Sequence, residues 1–410
     1  MRQRAAFDPD IWRVYATTFV LGVAYGIAIS LIAVFLDERG VEKQSIGALA
    51  ACFASGIVAF SLPAGALIRR FGAKPTLVVC LFGYAGAVAV FPFLHSYSAM
   101  ALARACDGAF SVGIWVSCET VLLERAPPDR KARVMSLYAI ALAVGYIVGP
   151  IVSRALVTLA PLPLAFVVAG ALSAASALYV ATRLDGRRHS AARAAEAESE
   201  RPAATKLFAV FWKIKTSCFA TFAYGYFQAS VVLFLPLFLI EGKGLQKPQT
   251  IVIPAFFAAG MLLFASVAAR LGDRLGHLAV MRALAFVGLL TVAAFTWIDA
   301  YWLMCGAVFL AGATLASISP VSLALQGMVT DAPDLSRATG LYNACYACGM
   351  LLGPPISSAV FERVSGALML HHLAALWAAF VGFTIVFHRD DPAVLRPAHS
   401  QSARASAEQL

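Results

Sequence analysis

RVMSLYAIALAVGYIVGPIVS, residues 133–153, lies over RATGLYNACYACGMLLGPPIS, residues 337–357, at a shift of 204 positions. The shift matches Arg133 with Arg337, Leu137 with Leu341, Tyr138 with Tyr342, Gly145 with Gly349, Gly149 with Gly353, Pro150 with Pro354 and Ser153 with Ser357. The same shift sets GALIRRFGAKPTLV, residues 65–78, against ARLGDRLGHLAV, which begins at Ala269, with Arg70 on Arg274 and Gly72 on Gly276. It also sets VFLDERG, ending at Gly40, on FLIEGKG, ending at Gly244. One offset across three separated regions marks a tandem duplication of a unit about half the chain long.

Composition gives the class of that unit. Of 410 residues, 60% are hydrophobic and 13% charged, with a mean hydropathy of +0.79. Soluble domains are about half apolar and a quarter charged, so this chain is built for lipid. A helix needs about 20 apolar residues to cross a bilayer. Twelve such runs are present, at 14–36, 45–68, 76–94, 98–122, 134–157, 162–182, 216–240, 250–269, 278–298, 301–328, 338–360 and 367–388. They are continuous rather than alternating, which selects helices over barrel strands. The first run is too long for a signal-peptide core and no small-residue cleavage site follows it, so it stays as a span. The fold class is therefore an all-α membrane protein, with twelve transmembrane helices in two pseudo-symmetric six-helix bundles.

Charge orients the spans. With both termini inside, 25 of the 32 Lys and Arg fall on the inner side and five (Arg39, Lys43, Lys243, Lys247, Arg363) on the outer, Arg104 and Arg154 lying within helices. The positive-inside rule then places both termini in the cytoplasm of a plasma membrane of bacterial inner-membrane type. It also accounts for the formal charge of +10 without nucleic acid as a partner, because the cations are scattered over loops rather than gathered on one face. All eight cysteines fall inside predicted helices, so no disulfide framework is expected, and the C-x-x-C of Cys345 and Cys348 reads as packing. The polar stretch RLDGRRHSAARAAEAESERPAATK, residues 183–206, divides the chain. The expected organisation is a first bundle over 1–182, a cytoplasmic linker over 183–215, a second bundle over 216–390 and a disordered cytoplasmic tail over 391–410. Two parallel membrane halves suit a transporter that binds solute between them and rocks to expose it to either side.

The motifs resemble those of the major facilitator superfamily. Between helices 2 and 3 the family carries G-x-x-x-D-R-x-G-R-R or similar, and this chain has Gly65, Arg69, Arg70, Gly72 and Lys74; the second-half version has Ala269, Asp273, Arg274 and Gly276. Arg104 and Gly108 match the R-x-x-x-G of helix 4. Gly145, Gly149 and Pro150 match the G-x-x-x-G-P of helix 5 in drug-exporting members, with Ser153 and Arg154 replacing the last two glycines. ERAPPDRKAR resembles the acidic loop after helix 4 and puts Glu124 in the acidic place. The resemblance implies that these loops gate the inner side through charge contacts, Arg70 and Lys74 meeting Glu124. Arg69 stands where the family has Asp, so that network is weaker or uses other acids. The alternative is that the three cations only enforce topology.

Ionisable groups inside a membrane are costly and mark function. Helix 4 holds Arg104, Asp107 and Glu119, which with Gly108, Ser111, Trp115 and Cys118 fall within about 60° of one direction at helical periodicity. This stripe must face a cavity or a partner helix. Arg104 and Asp107 are one turn apart: apolar surroundings favour the neutral carboxyl and the guanidinium favours the ionised one, a competition that can couple protons to transport. A permanent structural pair is the other reading, and Glu119 belongs either to this cavity or to the Glu124 loop. Tyr25, Tyr224, Gln228, Asn343 and Tyr346 could offer hydrogen bonds to a solute. His371 and His372, starting helix 12, read as interfacial. Gly145, Gly149 and Pro150, with Gly349, Gly353 and Pro354, provide bending and close packing.

The sequence thus points to a secondary active transporter of a small organic solute, acting as a monomer without cofactor or metal and driven by a proton gradient. Export by antiport is the first reading and proton-coupled uptake of a small organic anion the second. A non-transporting membrane sensor or scaffold is the third. No nucleophile elbow, phosphate loop or metal-ligand cluster points to an enzyme.

Overall fold

The computed structural model describes residues 8–127, 131–185, 207–331 and 334–391. Among these, twelve helices are long and apolar enough to cross a membrane. They are α1 (Pro9–Glu38), α2 (Lys43–Phe71), α3 (Ala73–Val90), α4 (Tyr97–Arg125), α5 (Lys131–Leu159) and α6 (Leu162–Arg183), then α7 (Lys215–Lys243), α8 (Lys247–Leu275), α9 (His277–Ala294), α10 (Tyr301–Val329), α11 (Leu335–Arg363) and α12 (Gly366–Val386). No strand occurs among the described residues. The outer surface is apolar, with Leu102, Leu159, Leu263 and Leu303 exposed where lipid would meet them. Trp12, Trp297 and Trp302 are exposed near helix ends, as in the aromatic belts of membrane interfaces. This is a multi-pass membrane protein.

The 204-residue repeat is visible in the packing. In the first half α1 packs on α5, α2 on α4 and α3 on α6; in the second, α7 packs on α11, α8 on α10 and α9 on α12. All four positive-φ residues among those described are glycines, and they pair at the same shift: Gly40 (71°) with Gly244 (67°), Gly72 (96°) with Gly276 (95°). Gly72 and Gly276 end one helix and begin the next, a left-handed turn that side-chain-bearing residues rarely make. Gly56 and Gly108 let α2 and α4 touch backbone to backbone, and Gly260 with Gly312 repeat this between α8 and α10. At Gly312 the copies part: the second half carries a π-helical turn, Gly312–Ala316, inside α10.

The spacing of Gly145 and Gly149, repeated at Gly349 and Gly353, has a direct steric cause. A Cβ on Gly149 would lie 2.6 Å from the Cα of Gly26, and one on Gly145 would lie 2.7 Å from the Cα of Gly22. Gly349 and Gly353 meet the backbone of α7 at Phe222 and Tyr226 in the same manner. Pro150, Pro354 and Pro355 lie inside helices that continue past them. We expect Gly149→Val to lower the thermal midpoint in detergent and broaden the size-exclusion peak, since overpacking costs about 1–3 kcal/mol even where neighbours can yield. Gly86→Val, with open space around it, should change neither.

The boundaries between units differ in detail from the sequence reading. Of the 183–215 linker, residues 186–206 lie outside the described residues. Its final part, Leu207–Lys213, is helical, and Val210 and Ile214 are buried against Cys218 and Ala338. This stretch docks on the second bundle. Of the 391–410 tail, residues 392–410 lie outside the described residues, but Asp391 is fully buried and accepts the Leu278 N–H at 2.9 Å. It belongs to the second bundle, capping the start of α9.

Candidate functional site

A cavity of about 830 Å3 lies between the halves, walled by α1 to α6 on one side and by α7 and α11 on the other. The polar stripe of α4 faces it through Arg104, Asp107, Trp115 and Glu119. Arg104 pairs with Asp107 and stacks its guanidinium over the Phe53 ring at 4.5 Å. Ser111, fully buried, donates to the other Asp107 oxygen at 3.4 Å. Glu119 lines the same cavity and has no hydrogen bond or ion pair among the described residues. The shift of 204 carries Arg104, Asp107 and Glu119 onto Val308, Ala311 and Leu323, so the duplication kept the scaffold and placed these charges in one copy only.

Tyr25 anchors an aromatic belt, its ring 4.7 Å from Tyr84, 6.0 Å from Trp115 and 6.2 Å from Tyr146. The Tyr84 hydroxyl, Trp115 Nε1 and Arg104 Nε are buried without a hydrogen-bond partner among the described residues. Buried polar groups are nearly always satisfied, so polar atoms left bare around a cavity point to water or a solute. From the second half come Gln228, Asn343 and Tyr346, with Tyr346 donating to Gln228 Oε1 at 2.8 Å. Tyr224 does not line the cavity; it stacks against Tyr346 (6.0 Å between centroids) and points its hydroxyl at Met261 Sδ.

One end of this cavity is shut. On the face away from Asp8 and Asp391, Lys43 reaches Glu241 at 2.9 Å and Lys247 pairs with Glu38. Gln44 N–H donates to Glu362 at 2.8 Å. Below them α2 lies against α11 at Gly47, where a Cβ would be 2.7 Å from Pro354 O. All of these join one half to the other. At the terminal face Arg125 pairs with Asp8 (3.0 Å) and Asp10 (2.6 Å), Lys215 with Asp390 (2.7 Å) and Lys213 with Asp331 (2.8 Å), each within its own half. Lys43 with Glu241 and Lys247 with Glu38 tie the halves together at the opposite face, as expected of one extreme of a rocking cycle.

The loop contacts depart from the sequence expectation. Lys74 donates to Leu184 O at 2.7 Å and not to Glu124, because the turn at Gly72 sends it along α3 toward the end of α6. Arg70 is exposed over Phe71. The cation that joins α4 to the start of α1 is Arg125. The Arg69 side chain is outside the described residues. Gly65 lies within α2. In the second loop, Asp273 sits 3.3 Å from His277 Nε2 and Arg274 is exposed. His371 contacts Trp297, but His372 turns inward, 3.2 Å from Tyr226 Oη and 3.4 Å from Ser357 Oγ.

Sequence reasoning missed the cross-half seal and the aromatic walls Tyr84 and Tyr146. The seal had a signal: the same shift puts Lys43 on Lys247 and Asp37 on Glu241. Both lysine–carboxylate pairs are partly exposed, and such pairs contribute about 0.2–1 kcal/mol each. Lys43→Ala with Lys247→Ala should therefore shift the balance between the two open forms by about two- to thirtyfold. A single cysteine at Ala347, in a background without native cysteines, should then label faster from the sealed face.

The family profile described as Major Facilitator Superfamily matches residues 14–300 and 217–409. The chain belongs to the major facilitator superfamily. The uncharacterized MFS-type transporter YfkF of Bacillus subtilis is 21% identical over 88% of this chain and 92% of its own length. The efflux pump azaK of Aspergillus niger is 30% identical over 129 residues, 29% of this chain; the match spans only 26% of azaK. In fold the chain is similar to a bacterial homologue of the human lysosomal transporter Spinster, solved in an inward-facing and occupied conformation, with a TM-score of 0.78, 12% identity and coverage of 94% and 99%. It is a transporter by family and fold.

Proposed function

We propose that this transporter exports a small organic solute by alternating access, driven by protons flowing the other way, across a bacterial plasma membrane with both termini in the cytoplasm. The cavity carries this reading. It is lined by both halves, holds a charge without a counter-charge among the described residues, and has cross-half ion pairs at the face away from the termini. With the termini cytoplasmic, that seal lies on the outer side, which suits loading of solute from the cell. A single chain supplies both walls, so a monomer suffices. Direction draws support from azaK, whose name is that of an efflux pump, though the match covers a quarter of that protein.

Charge placement disfavours uptake of an anion. Arg104, the residue that would hold it, is already balanced by Asp107, and Glu119 would repel it. The two carboxylates have separate tasks in this account: Asp107 neutralises Arg104 and fixes its position, while Glu119 is free to exchange a proton or a ligand as access alternates. Purified protein in liposomes with an interior pH probe and an imposed pH gradient tests this. The expected result is proton movement that depends on solute and runs opposite to it. Movement in the same direction would replace export with symport, and none under any solute would remove coupling.

A further inference from the structure

The cavity contains one balanced charge and one that is not. Arg104 and Asp107 cancel each other at one end. Glu119 is twelve residues along α4, about 18 Å at helical rise, and lines the same space with no partner among the described residues. The only other formal charges on the lining are that pair, so the cavity carries a net single negative charge when Glu119 is ionised. The rings of Tyr25, Tyr84, Trp115 and Tyr146 cluster on the lining, with Trp115 one helical turn from Glu119. The Tyr25 and Tyr84 side chains are 5% and 1% exposed, and the Tyr84 hydroxyl has no hydrogen-bond partner among the described residues.

Aromatic faces attract cations through their quadrupoles, and more strongly where water is excluded. A carboxylate in an apolar cavity is costly until a positive charge reaches it. We infer that the solute is a lipophilic organic cation, its charge taken by Glu119 and its apolar body held by the Tyr25–Tyr84–Trp115–Tyr146 belt. This rests on the transport reading above and names the class of solute for that site. An anion would have to separate Arg104 from Asp107 while facing Glu119. A neutral solute would displace cavity water from the half-buried Glu119 and supply no counter-charge in its place. The cavity, at about 830 Å3, is within the range of pockets that enclose drug-sized molecules.

Three aryl probes of different charge separate these classes: tetraphenylphosphonium, tetraphenylborate and neutral triphenylphosphine oxide, each measured alone by equilibrium dialysis against the full chain in nanodiscs, with empty nanodiscs as the blank. Saturable binding of the phosphonium is expected, with none for the borate or the oxide above the blank. Glu119→Gln should weaken it at least about tenfold, as loss of one partner of a desolvated charge pair does, and Glu119→Asp should recover most of the affinity. Tyr25→Leu should weaken it several-fold when measured well below the variant's own, somewhat lowered, melting midpoint. Preference for the borate or the oxide, absence of saturable phosphonium binding, or equal affinity in Glu119→Gln would overturn the assignment. If any of these occurred while solute-dependent proton movement persisted in liposomes, the cation class would fall and transport would stand. If proton movement were absent too, both would fall.

Discussion

Glu119→Gln is expected to abolish the pH-gradient-driven component of solute flux in proteoliposomes. Glutamine keeps the shape and hydrogen-bonding reach of the side chain but cannot exchange a proton at neutral pH. Glu119 is the one carboxylate on the cavity wall without a counter-charge, so no neighbour is in place to substitute for it. Gradient-independent exchange of solute across the membrane should persist at reduced affinity, because the seal and the helix contacts that permit rocking are untouched. Size-exclusion profile and melting midpoint should match the parent. Unchanged proton-driven flux in the folded variant would move coupling away from Glu119, with Asp107 the next candidate.

Asp107→Ala should act through stability. Side chains of Arg104 and Asp107 are 14% and 9% exposed, so deleting the acid leaves a cation in a largely apolar wall. Removing one partner of a buried pair costs about 3–5 kcal/mol, and access of cavity water places this case near the low end. The double variant Arg104→Met with Asp107→Leu should regain most of that loss, since replacing both partners by apolar groups is close to neutral. Denaturant titration of the purified protein in detergent measures the set, and the double-variant cycle gives the coupling. A fully stable Asp107→Ala would mean that cavity water alone solvates Arg104. Freed from Asp107, Arg104 would also raise the positive charge of the cavity and weaken binding of any cationic solute, a second readout on the same variant.

The duplication was legible because it rests on backbone demands. Positive-φ glycines and glycine crossings tolerate no substitute, so Gly72 with Gly276 and Gly149 with Gly353 kept their spacing in both copies. The stripe on α4 was legible because a charge within an apolar run has few bland explanations. Its partition into a pair and a lone acid was not, since that depends on side-chain directions. Tyr84 and Tyr146 carry no polar signature that sets them apart from core aromatics. Lys43, Lys247, Glu38 and Glu241 look like ordinary loop charges until the halves are placed together. The partners of Arg70 and Lys74 in the described state were not legible either: the path of α3 brings Lys74 to the end of α6, where it donates to Leu184 O, and Arg70 is exposed over Phe71.

The central claim is that two six-helix halves, tied at one end in the described state, pivot about the shared cavity. Spin labels test it most directly: Phe71 with Leu275, related by the 204-residue repeat, at the terminal face, and His95 with Ala300 at the sealed face, each pair spanning the two halves. Pulsed electron–electron distance measurements in nanodiscs, with and without solute, should show the Phe71–Leu275 distance shortening as the His95–Ala300 distance lengthens. Two distances that stay fixed under every condition, or that change in the same sense, would contradict it.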